Sequence, residues 1–357
     1  MPDDVPTLLG RVAGGENLSM TEMSAAVDAI MRGDWSDAQI GILLTGLAAK
    51  GETVDEIAGA ALAMRTHMTP IRSRYIELLD TCGTGGGGSA MFNVSTTAAI
   101  VAAAAGVPVA KHGNRSITSR SGSADVLAEL GVNVAATVPQ VEACLNELGL
   151  CFCYAPLAHP SMKHVAAVRK QLGIRTIFNI LGPLVNPARA THQLLGAGRL
   201  VLRPLLAGAM ARLGTQRTLV VSGEDGLGDV TLAGVTQVTE VTEVLAASLA
   251  TRGEVPGQGE TLRDFTWTPE DFGLTRQPLE GLAVDSPAQS AAIVRQILDG
   301  IHGPARDLVI LNAAAGLIAF GNTNDPKTAA AEAAIAIDSG AAETLLTRLA
   351  KRSHEPA

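Results

Sequence analysis

The sequence predicts a small all-helical N-terminal domain joined to a larger α/β domain with a mainly parallel central sheet. Three observations carry that expectation: capping boxes in the first 60 residues, short apolar runs alternating with helical stretches from residue 75, and a return to helix from about residue 285. The boxes are Ser19-x-x-Glu22, Ser36-x-x-Gln39 and Thr53-x-x-Glu56. In each, the hydroxyl accepts from an orphan N–H while the acid or amide reaches back to the cap. Ile40, Leu43, Leu44 and Leu47 follow the second box at helical spacing, and Val54, Ile57, Ala61 and Leu62 follow the third. Three short amphipathic helices result, whose apolar stripes need a partner in the chain or in a second subunit.

Residues 75–80 read as a short strand that runs into a glycine-rich loop, and an alanine-rich helix follows from about Ser95. The next strand is at 107–110, then come a helix at 124–130 and a capped helix start at Thr137. Further strands are expected at 151–154, 194–198 and 217–221, separated by helical segments. The stretch 248–264 is the best candidate for a mobile surface loop, and helices are expected at 288–299, 305–320 and 328–351. Residues 1–72 then form the helical domain and 73–357 the α/β domain.

With 47% hydrophobic and 17% charged residues in 357, the chain is globular and buries a large core. Aromatics at 3% argue against a protein that stacks bases, and a net charge of -8 argues against a generally basic surface. A local basic pocket for an anion stays open. Cys82, Cys144, Cys151 and Cys153 have neither zinc spacing nor a CxxC motif, which fits reduced, buried thiols and a cytoplasmic protein. The start MPDDVPTLLG has no apolar signal core, and the apolar run at 98–110 is too short to span a bilayer.

Four clusters bear chemistry. The stretch 80–96, DTCGTGGGGSAMFNVST, places a glycine loop between a strand and a helix, where backbone N–H groups favour an anion. It is neither GxGxxG nor a P-loop, and alone it reads equally well as a tight turn. The second cluster, KHGNRSITSRSGS (111–123), gathers Lys111, Arg115 and Arg120 with several hydroxyls, a mixture suited to a pyrophosphate. Two such loops at the ends of successive strands favour an anion site over a solvated basic loop. The third, His159 to Lys170, is a helix starting near Pro160 on which Lys163 and Arg169 point about 120° apart, so they need not share one anion. The fourth, Glu224-Asp225-Gly-Leu-Gly228-Asp229, is an acidic turn with carboxylates suited to Mg²⁺.

Together these clusters resemble the anthranilate phosphoribosyltransferase family over nearly the whole chain. The most specific pieces are GTGG (83–86), FNVST (92–96), KHGNRS (111–116), HPSMKHVAAVRKQLG (159–173) and RTIFNILGPLVNPA (175–188). The resemblance implies a homodimer of the phosphoribosyltransferase and nucleoside-phosphorylase-like fold class, with part of 165–190 packed on the helical domain. It also implies transfer of a phosphoribosyl group from 5-phosphoribosyl 1-pyrophosphate to the amine of anthranilate, with Mg²⁺ as cofactor, in tryptophan biosynthesis. No nucleophilic side chain, nucleic acid or membrane is implied. Carried over residue by residue, the phosphoribosyl pyrophosphate site comprises Gly83, Gly86, Gly87, Met91, Asn93, Val94, Ser95, Thr96, Lys111, His112, Gly113, Asn114, Arg115, Ser116, Ser119 and Ser123. Gly83, Asn114 and Arg169 match anthranilate positions, and Ser95 and Asp229 match metal positions.

The chain departs from the family pattern where GTGGD and DGLDE are usual, having Gly87 and Gly228 in place of two aspartates and Asp229 in place of a glutamate. Met91 replaces a threonine. The expectation is an enzyme with weakened metal or phosphoribosyl pyrophosphate binding. The alternative is an inactive paralogue that binds a different acceptor or nucleic acid.

Overall fold

The computed structural model describes residues 4–85, 91–116, 120–243 and 260–357. All three capping boxes form: the backbone N–H groups of Ser19, Ser36 and Thr53 donate to Glu22 Oε2 at 2.8 Å, Gln39 Oε1 at 2.9 Å and Glu56 Oε2 at 2.8 Å. They start α2 (Met20–Arg32), α3 (Asp37–Lys50) and α4 (Val54–His67). A further helix, α1 (Val5–Ala13), precedes them, and Asp4 caps it by accepting from Thr7 N at 3.0 Å. Its Asp-x-x-Thr start lacks the Glu or Gln of a capping box, so the box pattern does not reveal it.

The helices press closely together. A Cβ on Gly59 of α4 would lie 2.3 Å from Met20 O and 3.1 Å from Met23 Cβ on α2. Glycine is the residue that permits this approach. Gly59→Ala is therefore expected to lower unfolding free energy by about 1–3 kcal/mol through overpacking, read as a reduced urea midpoint at constant m. An unchanged midpoint would show that the two helices can separate freely.

Beyond the bundle lies a seven-stranded sheet in the order β3-β2-β1-β4-β5-β6-β7. Its strands are β1 (Leu79–Gly83), β2 (Val109–Gly113), β3 (Leu150–Tyr154), β4 (His192–Gly196), β5 (Arg217–Gly223), β6 (Thr236–Glu243) and β7 (Glu260–Trp267). The first five run parallel, whereas β5–β6 and β6–β7 pair antiparallel. Strand order reverses between β1 and β4, the kind of switch point where open α/β sheets bind ligands.

The structure corrects several sequence expectations. Residues 75–78 lie outside β1, and Ile76 is 90% exposed, so the apolar run there is not a strand. In β6 the run TQVTEVTE holds only two apolar residues, Val238 and Val241, among threonines and acids, so the search for apolar runs passes over it although most of the strand is buried. The loop expected at 248–264 gives way to β7 from residue 260, and the rest of it lies outside the described residues. The helix expected at 328–351 breaks at Gly340, whose φ of +74° is left-handed.

The C-terminal half adds α11 (Pro287–Leu298), α12 (Pro304–Phe320), α13 (Pro326–Asp338) and α14 (Ala341–Arg352). They follow α5 (Val94–Ala104), α6 (Ser123–Glu129), α7 (Val138–Leu148), α8 (Ala155–Ala158), α9 (Lys163–Leu172) and α10 (Leu202–Leu213).

The stripes of α1–α4 find their partner within the chain. Ile40, Leu43, Leu44, Leu47 and Ile57 share one buried cluster with Val165 and Val168 of α9, residues 177–185, and Leu206 of α10 against the β4–β5 face. Leu62, counted with the stripe of α4, is instead 43% exposed. Among the described residues no helix is long and apolar enough to cross a membrane.

Candidate functional site

The carboxyl ends of β1 and β2, the start of α5 and the turn after β5 converge on one cleft of about 400 Å³. Every described residue expected at the site lines it, including Gly83, Met91, Val94, Thr96, Ser116, Arg169 and Asp229. Gly86, Gly87 and Ser119 lie outside the described residues.

The glycine loop is anchored to β4. Thr84 N–H donates to Gly196 O at 2.8 Å, and Gly198 N–H donates to Thr84 Oγ1 at 3.1 Å. A Cβ on Gly83 would meet Gly196 O at 3.1 Å. α5 is pinned to β1, because Thr81 Oγ1 donates to Ser95 O at 2.9 Å. Thr96 Oγ1 is buried without a partner among the described residues.

The KHGNR loop turns tightly. A Cβ on Gly122 would lie 2.3 Å from Ser116 N, and one on Gly113 would lie 2.1 Å from Ser123 Oγ. Asp125 organises the turn by accepting from Ser116 N at 3.0 Å, Gly122 N at 3.1 Å and Arg115 Nη1 at 2.8 Å. Arg115 also bonds Tyr154. Arg120, grouped by sequence with the anion-binding cations, pairs instead with Asp285 and does not line the cleft. Lys111 alone of the three has no carboxylate partner among the described residues. It is 4% exposed, and its Nζ donates to Thr81 O at 2.5 Å and lies 3.5 Å from Ser95 Oγ.

Two carboxylates answer this ammonium electrostatically. Burial pushes Asp80 up to about 6, although Lys111, Asn186 Nδ2 at 2.8 Å and His112 N at 3.1 Å favour its charged form. Burial likewise pushes Asp229 up to about 7, opposed by the Lys111 charge. Asp229 accepts no hydrogen bond among the described residues. The rest of the acidic turn is occupied structurally: Glu224 accepts from Gln237 Nε2 at 2.9 Å and Asp225 from Leu227 N at 3.0 Å. Both lie outside the cleft lining.

These residues suit Mg²⁺. A half-buried carboxylate without a donor suits an adjacent cation, and Mg²⁺ needs only one or two protein carboxylates beside water and substrate oxygens. The described residues hold no group of three or more His, Cys, Asp or Glu that could bind an ion alone.

Two histidines, His112 in the cleft lining and His159 outside it, have ring centroids 5.1 Å apart. His112 Nδ1 pairs with Gly182 O at 2.9 Å, and the Nε2 atoms of both His112 and His159 are buried without partners among the described residues. Burial lowers His112 to about 3 and His159 to about 4. The unfolded chain therefore binds more protons than the native one between those values and about 6.5, so this pair loses stability as pH falls through that window. Asp80 and Asp229, with raised values, act oppositely as pH rises. The test is accordingly a difference: the stability of His159→Gln relative to the parent is expected to improve from pH 7 to pH 4. A constant difference would show that His159 takes up no proton on unfolding.

The opposite wall comes from α9 and the segment after it. Arg169 lies with its guanidinium 5.7 Å from the Phe178 ring centroid and has no carboxylate partner among the described residues. Burial disfavours its charge. Lys163 is exposed and does not line the cleft. Phe178, Asn179, Gly182 and Pro183 complete this wall, and Thr84 and Ser121 join the other. Single-residue reading missed all six. The signal for four of them was the unbroken RTIFNILGPLVNPA segment.

The comparisons with known proteins agree on one family. The family described as "Glycosyl transferase family, a/b domain" matches residues 76–343, and its "helical bundle domain" matches residues 6–68. The anthranilate phosphoribosyltransferase of Pelotomaculum thermopropionicum is 46% identical over 97% of this chain and 95% of its own length. That of Desulforudis audaxviator is 47% identical over 96% and 94%. Among solved structures, the Thermus thermophilus enzyme superposes with a TM-score of 0.87 at 41% identity, covering 97% of this chain and 99% of that one. The Saccharomyces cerevisiae enzyme, solved in complex with PRPP and Mg, gives 0.85 at 28% identity, covering 98% and 97%.

Proposed function

Because the chain belongs to the anthranilate phosphoribosyltransferase family, we propose that its cleft transfers the phosphoribosyl group of 5-phosphoribosyl 1-pyrophosphate to the amine of anthranilate. The products are N-(5-phosphoribosyl)anthranilate and pyrophosphate, in tryptophan biosynthesis. One observation carries the reading: the cleft sets an anion-suited wall, formed by Gly83, the start of α5 and Lys111, against a wall presenting Arg169 and Phe178.

In this reading Asn93, Ser95, Thr96, Lys111 and Ser123 hold the phosphates and ribose, together with Gly83, Gly86, Gly87, Ser119 and the KHGNR backbone. Asn114 and Arg169 orient anthranilate, Arg169 through the acceptor's carboxylate. Ser95 and Asp229 would hold Mg²⁺, which when bound would neutralise pyrophosphate charge. Lys111 stabilises the charge that grows on the leaving pyrophosphate, and the fixed walls bring the amine to ribose C1. No side chain serves as a nucleophile.

The two aspartates replaced by Gly87 and Gly228 leave metal binding weaker than the family pattern. Restoring the second is not free of strain, because a Cβ on Gly228 would lie 3.0 Å from Gly198 Cα. We further place the chain in the cytoplasm as a homodimer. Three buried, unbridged cysteines and exposed Ile42 on α3 support those two readings. The domains divide as 1–72 and 73–357, with 165–185 sharing the buried cluster of the first. The experiment follows anthranilate fluorescence: loss is expected only when phosphoribosyl pyrophosphate and Mg²⁺ are both present. No loss at saturating concentrations of both would contradict the proposal.

A further inference from the structure

Asparagine is among the best helix N-caps, because its side-chain oxygen accepts from an N–H of the first turn. Asn93 occupies the N-cap of α5 and makes no such bond. Its Oδ1 accepts instead from two hydroxyls, Ser121 Oγ at 2.6 Å and Ser290 Oγ at 2.8 Å. Its Nδ2 donates to Ser121 O at 3.3 Å, and its backbone N–H donates to Ser290 Oγ at 3.0 Å. Ser290 is fully buried on α11 and does not line the cleft. The Asn93 amide is thereby held off its own helix, and the first turn of α5 is left without a side-chain cap. Thr96, in that same turn, keeps a buried hydroxyl without a partner among the described residues. Uncapped first-turn N–H groups, at the positive end of the helix dipole, are donors for phosphate oxygens.

We propose that Ser290, together with Ser121, is a positioning residue that prevents Asn93 from capping α5 and so keeps the helix start open to the phosphates of the donor substrate. The proposal rests on the reading that those phosphates lie on α5. With Ser290→Ala, Asn93 Oδ1 loses a donor and is free to turn onto the first-turn N–H groups. It then competes with the substrate.

The experiment compares the full-length parent, Ser290→Ala, Asn93→Ala and the double variant in steady-state kinetics. The expected result for Ser290→Ala is a rise of about tenfold in KM for phosphoribosyl pyrophosphate, with KM for anthranilate within about twofold. In the Asn93→Ala background the same substitution is expected to add less than about twofold, because its route of action is gone. Ser290→Cys keeps the volume with a weaker donor, covers the case in which the alanine variant fails to fold, and is expected to shift the same KM by a smaller factor. An equal loss toward both substrates, or an undiminished effect of Ser290→Ala in the Asn93→Ala background, would overturn the proposal while leaving the α5 reading standing. If the parent neither binds nor turns over phosphoribosyl pyrophosphate, the α5 reading fails and the proposal falls with it.

Discussion

Replacing Lys111 with methionine is expected to lower kcat/KM for phosphoribosyl pyrophosphate by about a thousandfold, the largest single loss this cleft should show. The ammonium is almost wholly buried, and Thr81 O fixes its direction at 2.5 Å. Arg115 and Arg120 are engaged by Asp125 and Asp285, so neither is free to replace it. Methionine keeps much of the stem and removes the charge, which separates electrostatics from packing. Two terms add. On the proposed reading the leaving pyrophosphate loses the nearby ammonium charge, and Asp80 and Asp229 lose the positive charge that favours their ionised forms. Asp229 should then take up Mg²⁺ only at higher pH, since the ion must displace a proton held more tightly. Steady-state kinetics over pH 6.5–9 would read both effects. A Lys111→Met protein with an unchanged kcat/KM for phosphoribosyl pyrophosphate would remove Lys111 from the site.

Arg169→Ala is expected to raise KM for anthranilate by about 10–100-fold, the range of a charge-assisted hydrogen-bonded pair, with KM for phosphoribosyl pyrophosphate nearly constant. The asymmetry follows from the fold. Arg169 is carried by α9, whose Val165 and Val168 belong to the core of the helical bundle, whereas Lys111 and α5 belong to the sheet side. The guanidinium is already partly desolvated against Phe178, so a carboxylate meets a cation that has surrendered much of its water. Arg169→Lys should recover little, because an ammonium presents no planar fork. Losses shared equally between the two substrates would instead mark Arg169 as a structural residue.

Local signals made most of the fold legible. The three capping boxes became three helix starts because a box is a contract between residues three apart, which sequence displays directly. Partner choice was not legible in the same way. That the stripe of α3 packs on α9 and residues 177–185 depends on contacts across more than a hundred residues. Strands β6 and β7 escaped notice because polar residues outnumber apolar ones in both, and Thr239 and Glu240 carry no local mark of burial.

At the site, residue types pointed to loops that meet in one cleft but not to the partners of their charges. Lys111, Arg115 and Arg120 look alike in sequence. Their difference arises from Asp125, ten residues beyond Arg115, and from Asp285 in the distant segment before α11. Residue type did not separate Asp229 from Glu224 and Asp225; the family resemblance singled it out, and the turn shows the other two engaged by Gln237 and Leu227. Ser290 bears no motif, and its link to Asn93 spans 197 residues.

If this one cleft joins anthranilate to the phosphoribosyl group as pyrophosphate leaves, one reaction with Mg²⁺ should release pyrophosphate and consume anthranilate in a one-to-one ratio, read by quantifying both. Mass spectrometry of the product should give the mass of N-(5-phosphoribosyl)anthranilate, and chelation should abolish both results. Pyrophosphate release without loss of anthranilate, or neither change at saturating substrates, would contradict this transfer.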